Sequence, residues 1–211
     1  MYRLDEIKSS VVSGRMEETV AGIHAAISSG IPPGDIIRMG LIDAMTVVGE
    51  QFKNNEIYVP EMLIAARAMK AGLQILKPLM VGHEAKSLAA VVIGTVKGDL
   101  HDIGKNLVGI MMEGAGCKVI DLGVDIAPEK FVEAITIHNP EFLAMSALLT
   151  TTMPVMRETI AALEQSGKRG LVKVFIGGAP ISQRFADEIG ADGFADNAAA
   201  AVDQIRAMAA N

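Results

Sequence analysis

The sequence has very few aromatic residues, which make up 4% of 211 positions and include no tryptophan. Aromatic side chains are the platforms on which proteins stack unpaired bases, so their scarcity argues against a single-stranded nucleic acid as ligand. The formal net charge of −6 argues equally against a protein that follows a phosphate backbone. We therefore expect no nucleic-acid partner.

Cysteine and long apolar runs are also scarce. The single cysteine, Cys117, can form neither an internal disulfide nor a thiolate cage, as is typical of the reducing cytoplasm. Half of the residues are hydrophobic, yet no apolar run approaches the roughly 18–20 residues of a membrane-spanning helix. Residues 1–30 lack the basic segment and apolar block of a signal peptide. These features predict a cytoplasmic protein without a membrane partner.

Residues 1–84 show the apolar period of α-helices almost throughout. The pattern predicts four helices, which begin near Leu4, Thr19, Asp35 and Pro60. Their connections are short, and helices joined in this way form bundles. We therefore expect an N-terminal domain over residues 1–84 that is a four-helix bundle.

Residues 88–211 have a different pattern, in which short β-branched runs alternate with helical stretches. Five strands are predicted, at Leu88–Val96, Val119–Leu122, Phe142–Ser146, Val172–Ile176 and Gly193–Ala195. Strands that alternate with helices form a parallel sheet covered on both faces. The sequence therefore predicts a doubly wound α/β domain of the flavodoxin or Rossmann-like type, joined to the bundle by the polar residues 82–87.

His101 is the most informative side chain of the predicted strand-to-helix loops. It follows the first strand, and ligands of open parallel sheets bind at the carboxyl ends of strands. Asp99, two residues earlier, can accept the Nδ1 proton and leave Nε2 free for a metal. A histidine that merely caps the turn fits the same residues. No second His or Cys lies nearby in the sequence, and a lone ligand suits a metal held by a macrocycle.

Three motifs in this half resemble the signature of cobalamin-binding domains. They are Asp99-x-His101-x-x-Gly104 in GTVKGDLHDIGKN, then Ser146-x-Leu148, then Gly177-Gly178, with 41 and 28 residues between them. The segments VGEQF (48–52) and YVPEM (58–62) are similar to the cap that precedes this domain in cobalamin-dependent methionine synthase. The small corrinoid proteins of methyltransferase systems have the same two parts. The resemblance covers nearly the whole chain.

The resemblance implies that the chain binds cobalamin or a related corrinoid base-off and His-on, with His101 as the lower axial ligand of cobalt. It implies a relay in which Asp99 supports His101 and a hydroxyl supports Asp99. Alignment gives Thr152 as the residue that provides this hydroxyl, with Thr150 and Thr151 as competing candidates. The cofactor-binding residues implied besides His101 and Asp99 are Asp102, Gly104, Ser146, Leu148, Thr150, Gly177, Gly178, Phe52 and Val59. Phe52 and Val59 align with cap residues over the reactive face, although both also fit a bundle core.

A methyl carrier is the function that the resemblance implies. A substrate-specific methyltransferase would transfer a methyl group to Co(I), and an acceptor-side methyltransferase would pass it to tetrahydrofolate or a similar acceptor. A reductive activase is a further expected partner. The chain has no room for these catalytic domains, so we expect a non-catalytic subunit whose cap moves about a hinge at 82–87. The expected substrate is a methoxylated aromatic or a methylamine.

Three alternatives remain open. The small cobalamin-binding subunit of a mutase would share the His101 motif, although radical chemistry has no use for a methyl-shielding cap. A cobalamin-based light sensor would combine a similar bundle with this domain, but with a DNA-binding module attached. A flavodoxin-like domain without a corrinoid would also place glycines at the ends of its strands.

Overall fold

A computed structural model describes residues 2–80 and 87–209 of the chain, which divides into two compact units. The first unit spans Met1–Ser87 with Gly114–Gly116, and the second spans Leu88–Glu113 and Cys117–Asn211. The predicted joint and hinge at 82–87 lie outside the described residues, apart from Ser87. None of the described helices has the length and apolar character needed to cross a membrane.

The first unit is helical, which confirms the predicted N-terminal helical cap. Its helices are α1 (Tyr2–Val12), α2 (Met16–Ser28), α3 (Pro33–Asp35), α4 (Asp43–Lys53) and α5 (Val59–Leu76), with π-helical turns at Ile36–Ile42 and a 3-10 turn at Lys77–Met80. The helix predicted from Asp35 to Phe52 therefore contains a π-helical segment. An apolar period does not distinguish such turns from α-helix, because the chain stays helical through them.

The core of the helical unit consists of aliphatic side chains and one buried hydroxyl pair. Ile7, Ile23 and Leu41 are fully buried, as the helical period predicts. The hydroxyls of Ser10 in α1 and Thr19 in α2 lie 2.9 Å apart, so each of these buried polar groups has a partner.

The second unit is a five-stranded parallel sheet with helices, which confirms the predicted α/β fold. The strands are β1 (Ala90–Thr95), β2 (Lys118–Asp121), β3 (Phe142–Ser146), β4 (Lys173–Gly177) and β5 (Gly193–Ala195). The helices are α6 (Ile103–Gly114), α7 (Pro128–His138), α8 (Met153–Gln165), α9 (Gln183–Ile189) and α10 (Ala198–Ala209). The strand order is β2-β1-β3-β4-β5, and every neighbouring pair is parallel.

The strand order reverses its direction between β1 and β3, which pair from Val91 with Phe142 to Thr95 with Ser146. Chains that leave β1 and β3 turn to opposite faces of the sheet, so a crevice opens where their carboxyl ends meet. This point in the fold is where an open parallel sheet binds its ligand. The loop with His101 follows β1, and the loop with Leu148 follows β3.

Asp192, which precedes β5, forms hydrogen bonds with residues in and before β4. Its Oδ2 accepts hydrogen bonds from the Val174 N–H at 2.7 Å and from the Arg169 guanidinium at 2.8 Å. Burial alone raises the pKa of the Asp192 carboxyl, but these donors and Lys173 hold it below its usual range. A carboxyl with a lowered pKa in the folded state stabilises the fold above its unfolded pKa and ceases to do so as the pH falls.

We expect Asp192→Asn to lower the free energy of unfolding by about 1–2 kcal/mol near neutral pH, because charge-assisted hydrogen bonds are lost. The difference between the wild type and the variant should shrink as the pH falls below about 4, where the unfolded carboxyl is protonated. Urea unfolding of both proteins, from neutral pH to below about pH 4, measures this difference in the free energy of unfolding. A difference that is independent of pH would contradict this role of the Asp192 charge.

Candidate functional site

The side chains of Asp99 and His101 project from the loop between β1 and α6 and differ sharply in exposure. The Asp99 side chain is fully buried, whereas 51% of the His101 side chain is exposed. His101 Nδ1 lies 2.7 Å from Asp99 Oδ1, as the sequence predicts, and the His101 N–H donates to the same oxygen at 3.0 Å. His101 is thus an accessible imidazole held by a buried carboxylate.

The second oxygen of Asp99 is held by the loop after β3. Asp99 Oδ2 accepts from the N–H groups of Leu148 at 2.7 Å and Leu149 at 3.3 Å, and lies 2.9 Å from the Thr152 hydroxyl. These contacts span about fifty positions of sequence and join the two loops on either side of the crevice. Asp99 therefore links the loop after β1 to the loop after β3.

Ionised Asp99 determines which nitrogen of His101 carries the proton. Burial alone raises the pKa of Asp99, but hydrogen bonds from Leu148, His101 and Thr152 hold it well below its usual range. An ionised carboxylate only accepts hydrogen bonds, so Nδ1 of His101 is the donor. The lone pair of a neutral imidazole is then on Nε2, which has no hydrogen-bond partner within residues 2–80 and 87–209.

Thr152 is the threonine that reaches Asp99. It precedes α8 and is buried, whereas Thr150 and Thr151 are exposed. The Thr152 Oγ1 also lies 2.9 Å from the Leu149 carbonyl oxygen. A hydroxyl has one hydrogen to donate, so it can alternate between that carbonyl and Asp99 Oδ2. Thr152, the residue predicted by alignment, is therefore the third member of the hydrogen-bonded series His101–Asp99–Thr152.

Large apolar side chains surround His101 and remain exposed. Leu100 is 72% exposed and Ile103 is 79% exposed, and they lie one and two positions from His101 in the sequence. Leu148 and Leu149, whose N–H groups contact Asp99, are each 41% exposed. Soluble proteins rarely leave contiguous apolar side chains open unless they bind something. The arrangement suits a large apolar ligand whose metal meets Nε2 of His101.

Gly178 and Gly104, two glycines of the predicted motifs, differ in the space that a side chain would have. A Cβ at Gly178 would lie 1.8 Å from the Ala147 carbonyl oxygen, and the φ angle of Gly178 is +132°. A Cβ at Gly104, near the start of α6, would meet no atom within 4 Å among the described residues. The fold therefore requires glycine at Gly178, whereas packing within the described protein gives no reason for it at Gly104.

Gly177 and Ser146 are the last residues of β4 and β3, and they pair with each other across the sheet. A Cβ at Gly177 would lie 3.0 Å from the Ala195 carbonyl oxygen, so β5 leaves little space there. Asp102 is exposed, and its Oδ2 accepts a hydrogen bond from the Asn106 side chain at 3.1 Å. The cofactor-binding roles of these residues stay predictions.

Phe52 and Val59 lie in the helical unit. Phe52 is near the end of α4 and half-buried, and Val59 begins α5 with 37% of its surface exposed. Neither is fully buried in the bundle core. Their predicted contact with a cofactor stays a prediction.

The part of the chain that the structure describes contains no group of three or more His, Cys, Asp or Glu side chains placed to hold a metal. A metal ion at His101 would therefore find at most two such ligands among these residues and would take the others from a bound molecule. A corrinoid bound here would bring the remaining ligands of its cobalt, and Nε2 of His101 would hold the metal. His101 Nε2, the exposed leucines and Gly104 fit such a group.

Comparison with known proteins decides the family. Residues 89–203 match the B12 binding domain family, and residues 3–77 match a second family with the same description. The chain belongs to the B12-binding domain family. The corrinoid that the sequence predicts as cofactor is therefore confirmed, and the alternative of a flavodoxin-like domain without a corrinoid is wrong.

Relatives of this B12-binding protein match it over nearly their full length. A corrinoid protein of Desulfitobacterium hafniense is 42% identical over 207 residues, covering 96% of this chain and 95% of the relative. Trimethylamine corrinoid protein 2 of Methanosarcina acetivorans is 41% identical over 202 residues, with 95% and 93% covered. The resemblance to small corrinoid proteins of methyltransferase systems is thereby confirmed.

Solved structures of cobalamin proteins have the same fold as this chain. The methanol:cobalamin methyltransferase complex MtaBC from Methanosarcina barkeri matches with a TM-score of 0.91 and 30% identity, covering 100% of this chain and 80% of that chain. A cobalamin-binding protein from D. hafniense DCB-2 matches with a TM-score of 0.78 and 31% identity, with 97% and 96% covered. Both neighbours are named for cobalamin, which agrees with the B12-binding family.

The open space around Gly104 leads to a prediction about its replacement by alanine. We expect Gly104→Ala to change the free energy of unfolding without corrinoid by less than about 1 kcal/mol. Corrinoid binding should weaken about tenfold or more, because a methyl group that overlaps the ligand costs about 1–3 kcal/mol. Titration with cobalamin, followed by absorbance, measures the affinity.

The control is Gly170→Ala, in the 3-10 turn before β4, where an added Cβ also meets nothing within 4 Å of the described residues. This variant should bind the corrinoid as the wild type does. Equal affinities for all three proteins would mean that the ligand does not approach Gly104.

Proposed function

We propose that this protein carries methyl groups on a corrinoid bound base-off and His-on, with Nε2 of His101 as the lower ligand of cobalt. The observation that carries the proposal is the free Nε2 of an exposed imidazole whose Nδ1 is held by buried Asp99. A metal-binding histidine almost always donates its other N–H to such a partner. When bound, the corrinoid supplies a cobalt centre that accepts and releases methyl groups.

The residues around His101 orient the ligand and tune its strength. Asp99 holds the proton on Nδ1, which keeps Nε2 directed outward and raises its basicity toward a metal. Asp99 is itself held by the backbone after β3, so it cannot follow His101 if the imidazole shifts. The Thr152 hydroxyl can strengthen or release its contact with Asp99 and so adjust the charge that His101 meets. These contacts support a relay through His101, Asp99 and Thr152.

The other predicted residues would exclude water and admit the cofactor. Leu148 presents an exposed apolar side chain next to the Asp99 contact, and Gly104 leaves space for close approach. Ser146 and Gly177 end the neighbouring strands β3 and β4, and Gly178 follows β4, where a nucleotide tail would enter the α/β unit. In the helical unit, Phe52 and Val59 are the side chains that we propose to shield the reactive face.

We infer a methylamine or a methoxylated aromatic as the source of the methyl group, and the relatives favour a methylamine. Trimethylamine and dimethylamine corrinoid proteins of M. acetivorans are 40–42% identical to this chain. The solved complex MtaBC pairs a corrinoid protein with a methyltransferase named for methanol. We therefore propose a substrate-specific methyltransferase as one partner, an acceptor-side methyltransferase that uses tetrahydrofolate or a similar acceptor as the second, and a reductive activase as a third. We also propose that this protein is cytoplasmic.

A transfer assay tests the function. The protein is loaded with hydroxocobalamin, reduced without oxygen, and mixed with methyltransferases for trimethylamine, dimethylamine, a methoxylated aromatic or methanol. Loss of the donor's methyl group and a shift of the corrinoid absorption spectrum both measure transfer. We expect transfer with a methylamine or methoxylated-aromatic donor and none without the matching methyltransferase.

The same assay has outcomes that contradict the proposal. Transfer from methanol alone would contradict the inferred substrate class. Loaded, reduced protein that exchanges methyl groups with none of the four donors would contradict the methyl-carrier role.

A further inference from the structure

Thr95, the last residue of β1, is a buried polar side chain that the site described so far does not use. It is fully buried, and its Oγ1 donates a hydrogen bond to the His101 carbonyl oxygen at 2.9 Å. The bond closes the loop between β1 and α6, since it joins the end of the strand to His101, the proposed metal ligand.

The backbone of Thr95 is fixed from both sides. Its N–H donates to the Gly123 carbonyl oxygen at 3.0 Å, its carbonyl oxygen accepts from the Ile126 N–H at 3.0 Å, and it pairs with Ser146 in the sheet. The hydroxyl therefore projects from a rigid part of the sheet. A rigid origin is what a group needs if it is to position another residue.

Three atoms of His101 form hydrogen bonds, two of them with Asp99 and one with Thr95. Asp99 Oδ1 accepts from its N–H and from its Nδ1, and Thr95 Oγ1 donates to its carbonyl oxygen. The contact at Nδ1 sets the rotation of the ring. The contact at the carbonyl oxygen fixes the main chain from which the ring projects, and so sets how far Nε2 reaches.

The first part of the same loop has its own attachment. The Gly98 N–H donates to Asp125 Oδ1 at 2.7 Å, and the Asp125 N–H donates to the Asp99 carbonyl oxygen at 3.1 Å. Loss of the Thr95 hydroxyl would therefore release the carbonyl side of His101, while the His101 N–H still donates to Asp99 Oδ1 and the segment before it stays in place.

We propose that Thr95 is a positioning residue that holds the main chain of His101 and thereby favours the form in which Nε2 is bound to cobalt. This inference rests on the proposed function, because it takes His101 as the lower ligand. Thr95 precedes the Asp99-x-His101-x-x-Gly104 motif within the segment GTVKGDLHDIGKN, and it is not among the hydrogen-bond partners of Asp99 described above. Its effect reaches the metal only through His101.

Thr95→Val tests the proposal, since valine has nearly the shape of threonine but lacks the hydroxyl. The protein is produced with ¹⁵N-labelled histidine, loaded and reduced to Co(II), and its electron paramagnetic resonance spectrum then separates cobalt bound by a histidine nitrogen from cobalt bound by the cofactor's own base. We expect Thr95→Val to shift the ratio of His-on to His-off cobalt about tenfold toward His-off, the scale of one hydrogen bond. Thr95→Ser keeps the hydroxyl and should restore the wild-type ratio.

Thr159→Val is the matched control. Thr159 is also fully buried, and its Oγ1 donates to the Val155 carbonyl oxygen at 2.8 Å within α8. Both valine variants lose one buried hydroxyl of the same kind, so their melting temperatures should fall similarly. Only Thr95→Val should change the cobalt spectrum.

The outcomes separate this inference from the proposed function. A wild-type protein without an axial nitrogen signal would contradict the assignment of His101, and with it this inference. A wild-type signal that persists unchanged in Thr95→Val would overturn the role of Thr95 and leave His101 in place. A loss equal in Thr95→Val and Thr159→Val would show a general structural effect and would also overturn it.

Discussion

Replacing His101 with alanine is expected to leave the protein folded and to remove the proposed lower ligand of its corrinoid. About half of the His101 side chain is exposed, so its truncation removes little packing. Asp99 keeps its hydrogen bonds from the Leu148 N–H and the Thr152 hydroxyl, and its burial does not leave it unpartnered. We expect methyl transfer to fall about a hundredfold or more, since loss of a residue that merely supports a metal ligand already costs about 10–100-fold.

His138→Ala is the control for this experiment. His138 is the last residue of α7, is exposed, and has no part in the loops after β1 and β3. Its replacement should change neither the corrinoid spectrum nor the rate of transfer. If His101→Ala transferred methyl groups at the wild-type rate with an unchanged spectrum, His101 would not be the lower ligand.

Gly178→Ala is expected to have the largest effect on folding. The added Cβ would overlap the Ala147 carbonyl oxygen, which is 1.8 Å away and belongs to backbone that cannot rotate aside. The φ angle of +132° adds strain, because residues with a Cβ rarely adopt it. We expect a loss of about 3 kcal/mol or more, or a fall of about 10 °C in melting temperature.

Gly190→Ala separates the clash from the backbone strain. Gly190 follows α9 with a φ angle of +75°, and an added Cβ there meets no described atom within 4 Å. This variant should lose only about 1 kcal/mol, the cost of a left-handed residue. Thermal unfolding without corrinoid compares the two. Equal losses would contradict the close approach of Gly178 to Ala147.

The sequence predicts the Asp99–His101 contact because the two residues are two positions apart in a single loop. It leaves three threonines open behind Asp99, since their distance in sequence does not show which side chain turns inward. The start of α8 decides this: Thr152 is buried just before the helix, and Thr150 and Thr151 face outward. Alignment with a known motif predicts Thr152, and periodicity alone does not.

Other parts of the site had no signal in the sequence. The Leu148 and Leu149 N–H groups hold Asp99, but every residue except proline has such a donor, so no residue type marks them. Thr95 reads as an ordinary strand residue, and its contact with His101 depends on how the loop closes. The strands were predicted within about two residues, because their apolar runs are bounded by glycines and polar residues.

The most direct test of the central claim is the origin of the nitrogen bound to cobalt. The protein is produced with ¹⁵N-labelled histidine, loaded with unlabelled cobalamin and reduced to Co(II). Axial ¹⁴N splits the electron paramagnetic resonance lines into triplets, and axial ¹⁵N splits them into doublets. If His101 is the lower ligand, labelling converts the triplets to doublets, and His101→Ala removes the doublets. Triplets that persist in the labelled protein would show that the cofactor's own base stays on cobalt, and would contradict the account.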